Sequence, residues 1–158
     1  MENEGDMEVR DATMAKAQVL ARTADKAAAI TGYETAEALP KTTSGQKLDC
    51  RFHLMRVGMF WGDIPMVESH VTVCREVVDK GGDWERRNRL KVYEATYLLS
   101  IRNFKQAAKL LLESISTFTA TELMSYNQFV FYTVVTSTIA LDRATIRAKV
   151  INAPEILQ

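Results

Sequence analysis

Apolar residues Phe104, Ala107, Ala108, Leu111, Leu112 and Ile115 fall at offsets 0, 3, 4, 7, 8 and 11, the spacing of one face of an α-helix. Immediately upstream, Leu90, Tyr93, Tyr97, Leu98 and Ile101 give offsets 0, 3, 7, 8 and 11. Two amphipathic helices joined by so short a turn must bury their stripes together, so the segment reads as a helical hairpin. Asn103 with Gln106 three residues on reads as a reciprocal cap for the second helix, because each side chain can satisfy an orphan amide of the first turn. Gly81-Gly82-Asp83 supplies a stop followed by an N-cap for the first helix, and Trp84 is expected to pack back on the preceding hairpin.

The same grammar runs through the rest of the chain. Leu48, Phe52, Met55, Met59 and Phe60 make one stripe and Val67, Val71, Cys74 and Val78 another, with Asp63-Ile64-Pro65 as the break between them. Roughly residues 7–22 and 25–37 form an earlier pair, ended by Pro40 and the loop 41–45; residues 1–6 read as a flexible lead-in. A last pair places a long helix across 125–141, capped by Ser125 and Gln128, and a short helix after Asp142. No stretch alternates with period two between hairpin turns, so little or no β-structure is expected.

Four pairs in 158 residues is a period of roughly 40, the range of helical-repeat proteins. Ala29 and Ala107 occupy matching places after the two turns, where a small side chain lets paired helices approach, and Gly58-x-x-Trp61 has a small-then-aromatic spacing common in tetratricopeptide (TPR) first helices. The predicted fold is all-α, a single-domain right-handed solenoid of about four TPR-like helical hairpins spanning residues 1–158.

Composition narrows the function classes. Twenty Lys+Arg balance twenty Asp+Glu, so there is no basic excess to displace counterions or meet anionic headgroups, and neither nucleic acid nor membrane is an expected partner. A hydrophobic content of 47% opposes disorder. The uncharged stretch 123–141 reaches the minimum spanning length, but its seven Ser, Thr, Asn and Gln residues favour a buried helix over a bilayer. Two cysteines are too few to brace a secreted scaffold, and the start of the chain is acidic instead of an export signal, which points to an intracellular protein with reduced thiols.

The chemistry-bearing residues are sparse. Cys50-x-x-His53 and His70-x-x-x-Cys74 would put two soft ligands one turn apart on each of two neighbouring helices, a set that zinc accepts. Against that alternative, Cys74 lies inside an apolar stripe, and a free cysteine is ordinarily a small buried hydrophobe. No nucleophile elbow or phosphate loop occurs, so no catalytic residue, cofactor or resident metal is expected. Arg86, Arg87, Arg89 and Lys91 fan around their helix without lining one groove-facing stripe, and cations in a first turn oppose the macrodipole. They read as candidates for carboxylate partners, either Asp83 and Glu85 locally or carboxylates on another protein surface, against the plainer reading of a solvated face.

The run 81–93, Gly-Gly-Asp-Trp-Glu-Arg-Arg-Asn-Arg-Leu-Lys-Val-Tyr, resembles the lid-subunit family of proteasome non-ATPase regulatory subunit six. The resemblance continues through Ile101-Arg102-Asn103-Phe104-Lys105-Gln106-Ala107-Ala108 and residues 116–119, 122–124 and 139–141; upstream it takes in 8–12, 14–17 and 56–60. It implies a non-catalytic scaffold of ubiquitin-dependent degradation in the cytoplasm and nucleus, with other lid subunits and the ATPase base as partners. The family carries more helices before this segment and a winged-helix PCI module after it, so these residues correspond to the central repeat portion. The related signalosome subunit one shares the repeat domain and is the alternative within the class. In such a portion, apolar Ile146, Val150, Ile151, Ile156 and Leu157 are expected to be left uncovered and to drive self-association.

Overall fold

A computed structural model describes residues 2–81 and 83–157, and of residues 2–4 and 157 the backbone alone. Helices α1 (Glu2–Arg22), α2 (Lys26–Ala38), α3 (Ser44–Trp61) and α4 (Ile64–Asp79) belong to a first compact unit, residues 1–83. The second unit, residues 84–158, holds α5 (Trp84–Ser100), α6 (Phe104–Ser114), a 3-10 turn (Ile115–Thr117), α7 (Tyr126–Ala140), α8 (Arg143–Ile146), a π-helical turn (Arg147–Ile151) and α9 (Pro154–Leu157). The boundary falls between Asp83 and Trp84, at the start of α5. Among the described residues there is no strand, and the helices pack in consecutive pairs, an all-α helical-repeat organisation.

One turn, used three times, writes the repeat. Ala24, Gly62 and Arg102 are left-handed, with φ of 62°, 67° and 61°, and each is followed by an Asx residue. The amides of Asp25, Asp63 and Asn103 donate to the carbonyls of Leu20, Gly58 and Leu98 at 3.0, 2.8 and 2.8 Å, while those of Ala24, Gly62 and Arg102 donate to Ala21, Met59 and Leu99. That is the paired closure of a Schellman motif. The same Asx side chains then accept from the amides of Ala28, Met66 and Gln106, so one residue ends a helix and opens the next. Four and eight residues beyond each cap stand Ala29 and Tyr33, Val67 and Val71, and Ala107 and Leu111, all at most 2% exposed. The left-handed conformation costs Ala24 and Arg102 roughly 1–2 kcal/mol each compared with Gly62, which the two closing bonds and the cap offset.

Close approach holds the first unit together. A Cβ placed on Gly32 of α2 would lie 2.7 Å from the Cβ of Ala17 on α1, and one on Gly58 of α3 would lie 2.8 Å from Cγ2 of Val67 on α4. Around the first of these contacts, Ala17, Ala29, Tyr33, Leu54 and Val57 form a buried cluster against which Met14, Leu20 and Trp61 pack. Gly32→Ala should therefore destabilise by about 1–2 kcal/mol, because α1 and α2 must separate, even though alanine is the better helix former by about 1 kcal/mol. Urea unfolding checks the sign: a gain in stability would mean the two helices do not meet at Gly32.

Three sequence expectations change. The acidic start is not a lead-in, since α1 begins at Glu2 and Asp6 pairs with Lys41 at 3.2 Å. The loop 41–45 ends early, because Thr43 and Gln46 form a full capping box and α3 starts at Ser44. Asp83 does stand directly before α5, but Trp84 is 65% exposed, so it is no buried wedge, and Leu90 and Tyr93 anchor α5 instead.

Candidate functional site

The uncharged stretch becomes a helix of only 15 residues, α7, fixed at its start by the capping box of Ser125 and Gln128. No helix among the described residues is long and apolar enough to cross a membrane. Its packing is inverted. The face turned inward carries Phe129 with Thr133, Thr136 and Ser137, all at most 3% exposed, while Phe131, Tyr132, Val135 and Ile139 stand 63%, 44%, 40% and 62% exposed. Phe129 sets the register by meeting Phe118 at 4.6 Å and Tyr126 at 6.4 Å between ring centroids. The small hydroxyl residues sit tightly: Thr133 Oγ1 donates to the Phe129 carbonyl at 2.8 Å. Phe129 apart, the larger apolar side chains of α7 therefore stand on its outer face, not against the unit's own core.

The uncovered surface is thus on α7 more than on the C-terminal tail. Val150 is buried, Ile146 and Ile156 are half-buried and Ile151 is 54% exposed; the side chain of Leu157 lies outside the described residues. α9 lies against α7 and the π-helical turn.

The four candidate zinc ligands diverge. Cys50 Sγ contacts Met14 Sδ at 3.4 Å, and His53 stacks on Tyr33 with centroids 4.9 Å apart while its Nδ1 meets the Arg56 guanidinium. His70 Nδ1 meets Arg51 Nη1 at 3.0 Å, and Cys74 is fully buried. Among the described residues no group of three or more His, Cys, Asp and Glu is placed to hold a metal. Burial pushes the Cys50 thiol up to about 11 and the Cys74 thiol up to about 12, which leaves both protonated and unreactive near neutrality.

What the region forms instead is a tie across three helices. Arg51 of α3 binds Glu37 of α2 through Nε at 2.8 Å and donates to His70 of α4. Arginine has no acceptor, so the His70 ring is neutral, with Nδ1 accepting. Burial first, and the Arg51 charge second, hold its pKa down at about 4. An unfolded His takes its proton near 6.5 and the folded one near 4, so stability is whole above the upper value and drains away as pH falls between them. We expect a loss of about 2 kcal/mol across that window after allowing for solvent screening, and a His70→Gln protein with a flat profile there. Thermal melts from pH 7 to pH 4 measure it, and an equally steep His70→Gln profile would refute the assignment.

The arginines of α5 separate in role. Arg89 Nη2 lies 2.7 Å from Glu122 Oε1, which also accepts from Tyr93 Oη at 3.0 Å, so Arg89 is engaged inside the unit. Burial works to raise the Glu122 pKa, but the Arg89 and Tyr93 hydrogen bonds and the Arg89 charge bring it below the usual carboxylate range. Arg86 is half-buried and Arg87 exposed. On α6, Asn103 caps as expected, although the Gln106 amide oxygen reaches the Asn103 side chain at 3.1 Å instead of its backbone; Ala107 is fully buried and Phe104 half-buried.

Comparison with known proteins sets these features in a family. The family model described as 26S proteasome subunit RPN7 matches residues 1–149. The chain belongs to the RPN7 family. Relatives include the 26S proteasome non-ATPase regulatory subunit 6 of Oryza sativa subsp. japonica, 47% identical over 157 residues, which is 99% of this chain and 40% of that protein. The Arabidopsis thaliana homolog of that subunit matches with the same identity and coverage. The regulatory subunit RPN7 of Saccharomyces cerevisiae is 37% identical over 158 residues, 99% of this chain and 36% of its own. The chain thus spans about two fifths of the length of these curated relatives.

Within this RPN7-family chain, sequence reasoning passed over Phe131, Tyr132, Val135 and Ile139, and also Glu37, Arg51 and Glu122. For the first four a signal existed: a charge-free helix with bulky residues on every side has no solvent face to offer.

Proposed function

We propose that the chain is the helical-repeat portion of a scaffold subunit in the lid of the 26S proteasome regulatory particle, serving ubiquitin-dependent degradation through protein contacts alone. The observation that carries the reading beyond family membership is α7, whose large apolar side chains face outward while its small hydroxyls face in. Such a face suits burial against a neighbouring subunit, where aromatic anchors contribute most of the binding energy. A non-catalytic role is supported by thiols held protonated and by histidines committed to arginine partners. Affinity purification of the tagged protein from its own cells, read by quantitative mass spectrometry, should recover other regulatory-particle subunits in near-stoichiometric amounts. Signalosome subunits in their place, or neither set, would reject the assignment.

A further inference from the structure

The second unit also contains a groove of about 870 Å³ between α6 and the C-terminal turns. Its floor is apolar, made by Leu112, Ile115 and Leu141, of which Ile115 is 9% exposed. Its rim is cationic. Lys105 and Lys109 stand one helical turn apart on α6, and Lys149 faces the groove from the π-helical turn. Among the described residues none of these three ammonium groups has a carboxylate within ion-pairing distance, whereas Glu113 on the same rim is engaged by Lys91 at 3.5 Å. Glu155 is the one lining acid without an ion pair among the described residues. The lining therefore keeps a positive excess above an apolar floor. From Lys105 on α6 to Ile115 at the start of the 3-10 turn, the groove runs for about 15 Å, room for about three helical turns.

We propose that this groove docks a short acidic amphipathic helix of another protein, its apolar stripe on Leu112, Ile115 and Leu141 and its flanking carboxylates on Lys105, Lys109 and Lys149. An apolar stripe alone would bind many helices weakly; the lysine pair one turn apart selects glutamates one turn apart, because opposite charges at that spacing face each other. The inference stands apart from the proteasome assignment and makes no use of the outer face of α7.

The probe is a synthetic four-turn helical peptide with leucines along one face and glutamates beside them, fluorescently labelled, together with a twin in which every glutamate is lysine. Anisotropy titrations of the intact protein should show the glutamate peptide binding, with affinity falling as salt is raised. The charge reversal Lys105→Glu with Lys109→Glu should weaken it by about tenfold or more and let the lysine twin bind. Both lysines are exposed, so far-UV circular dichroism should be unchanged, and Lys105→Gln with Lys109→Gln should give an intermediate loss. Absence of binding, or equal binding to wild type and reversed protein, overturns the proposal. So does a dimer of the purified protein that the same reversals dissolve, since the occupant would then be a second copy. None of these outcomes bears on which subunits co-purify with the protein.

Discussion

Phe129→Ala should lower stability by about 3–5 kcal/mol, whereas Phe131→Ala, two residues along the same helix, should stay within about 0.5 kcal/mol of wild type. The two rings have the same chemistry and nearly the same place in the sequence. What separates them is rotation: two residues turn α7 by about 200°, which puts Phe129 at 0% exposure between Phe118 and Tyr126 and leaves Phe131 at 63%. Removing Phe129 opens a cavity lined by aromatic edges, and the Ser and Thr residues beside it are too short to fill it. Urea unfolding of both variants, followed by circular dichroism, makes the comparison. Similar losses in the two would mean that α7 is buried on a different face.

A second large effect is expected at Arg51. Arg51→Met should cost about 2–3 kcal/mol, because it strands the Glu37 carboxylate, whose side chain is only 16% exposed, and removes the donor to His70. Fully buried pairs cost more when broken; here both partners keep some access to water. Adding Glu37→Gln should recover part of the loss, since the stranded charge is then gone, and a double-mutant cycle would show the coupling. The acid limb assigned to His70 should also move upward in Arg51→Met, because the repelling guanidinium is absent, yet should not vanish, because burial is the larger cause. Additive losses from Arg51 and Glu37 would dismiss the three-helix tie as a structural element.

Local chemistry was legible in the sequence and long-range partnership was not. Asn103, Ser125, Asp63 and Asp142 each open a helix, because a cap and the amide it accepts from lie three residues apart. Thr43 with Gln46 carried the same signal and was masked by the surrounding Ser and Gly. The repeat period could be read from Ala29 and Ala107, but its turn could not, since Ala24 and Arg102 adopt a conformation usually announced by glycine. Glu37, Arg51 and His70 come from three helices, and Arg89 finds Glu122 across 33 residues, so no spacing rule reaches them. Cys50, His53, His70 and Cys74 lie on helices as their spacing implies, but the first three turn to separate neighbours, Met14, Tyr33 and Arg51, and Cys74 is fully buried. For α7 the periodicity was silent, because apolar residues occupy every side and only tertiary packing chooses which face is covered.

That choice of face is where the functional account is most exposed. The decisive measurement compares the wild-type protein with Phe131→Lys combined with Ile139→Lys in affinity purification from cells, quantifying regulatory-particle subunits by mass spectrometry and thermal stability in parallel. Because both positions are more than 60% exposed, the double variant should melt close to wild type. It should nevertheless lose most of the co-purifying subunits, as charges placed in an apolar contact leave it desolvated and unpaired. Full retention of those subunits by a folded double variant would contradict the account.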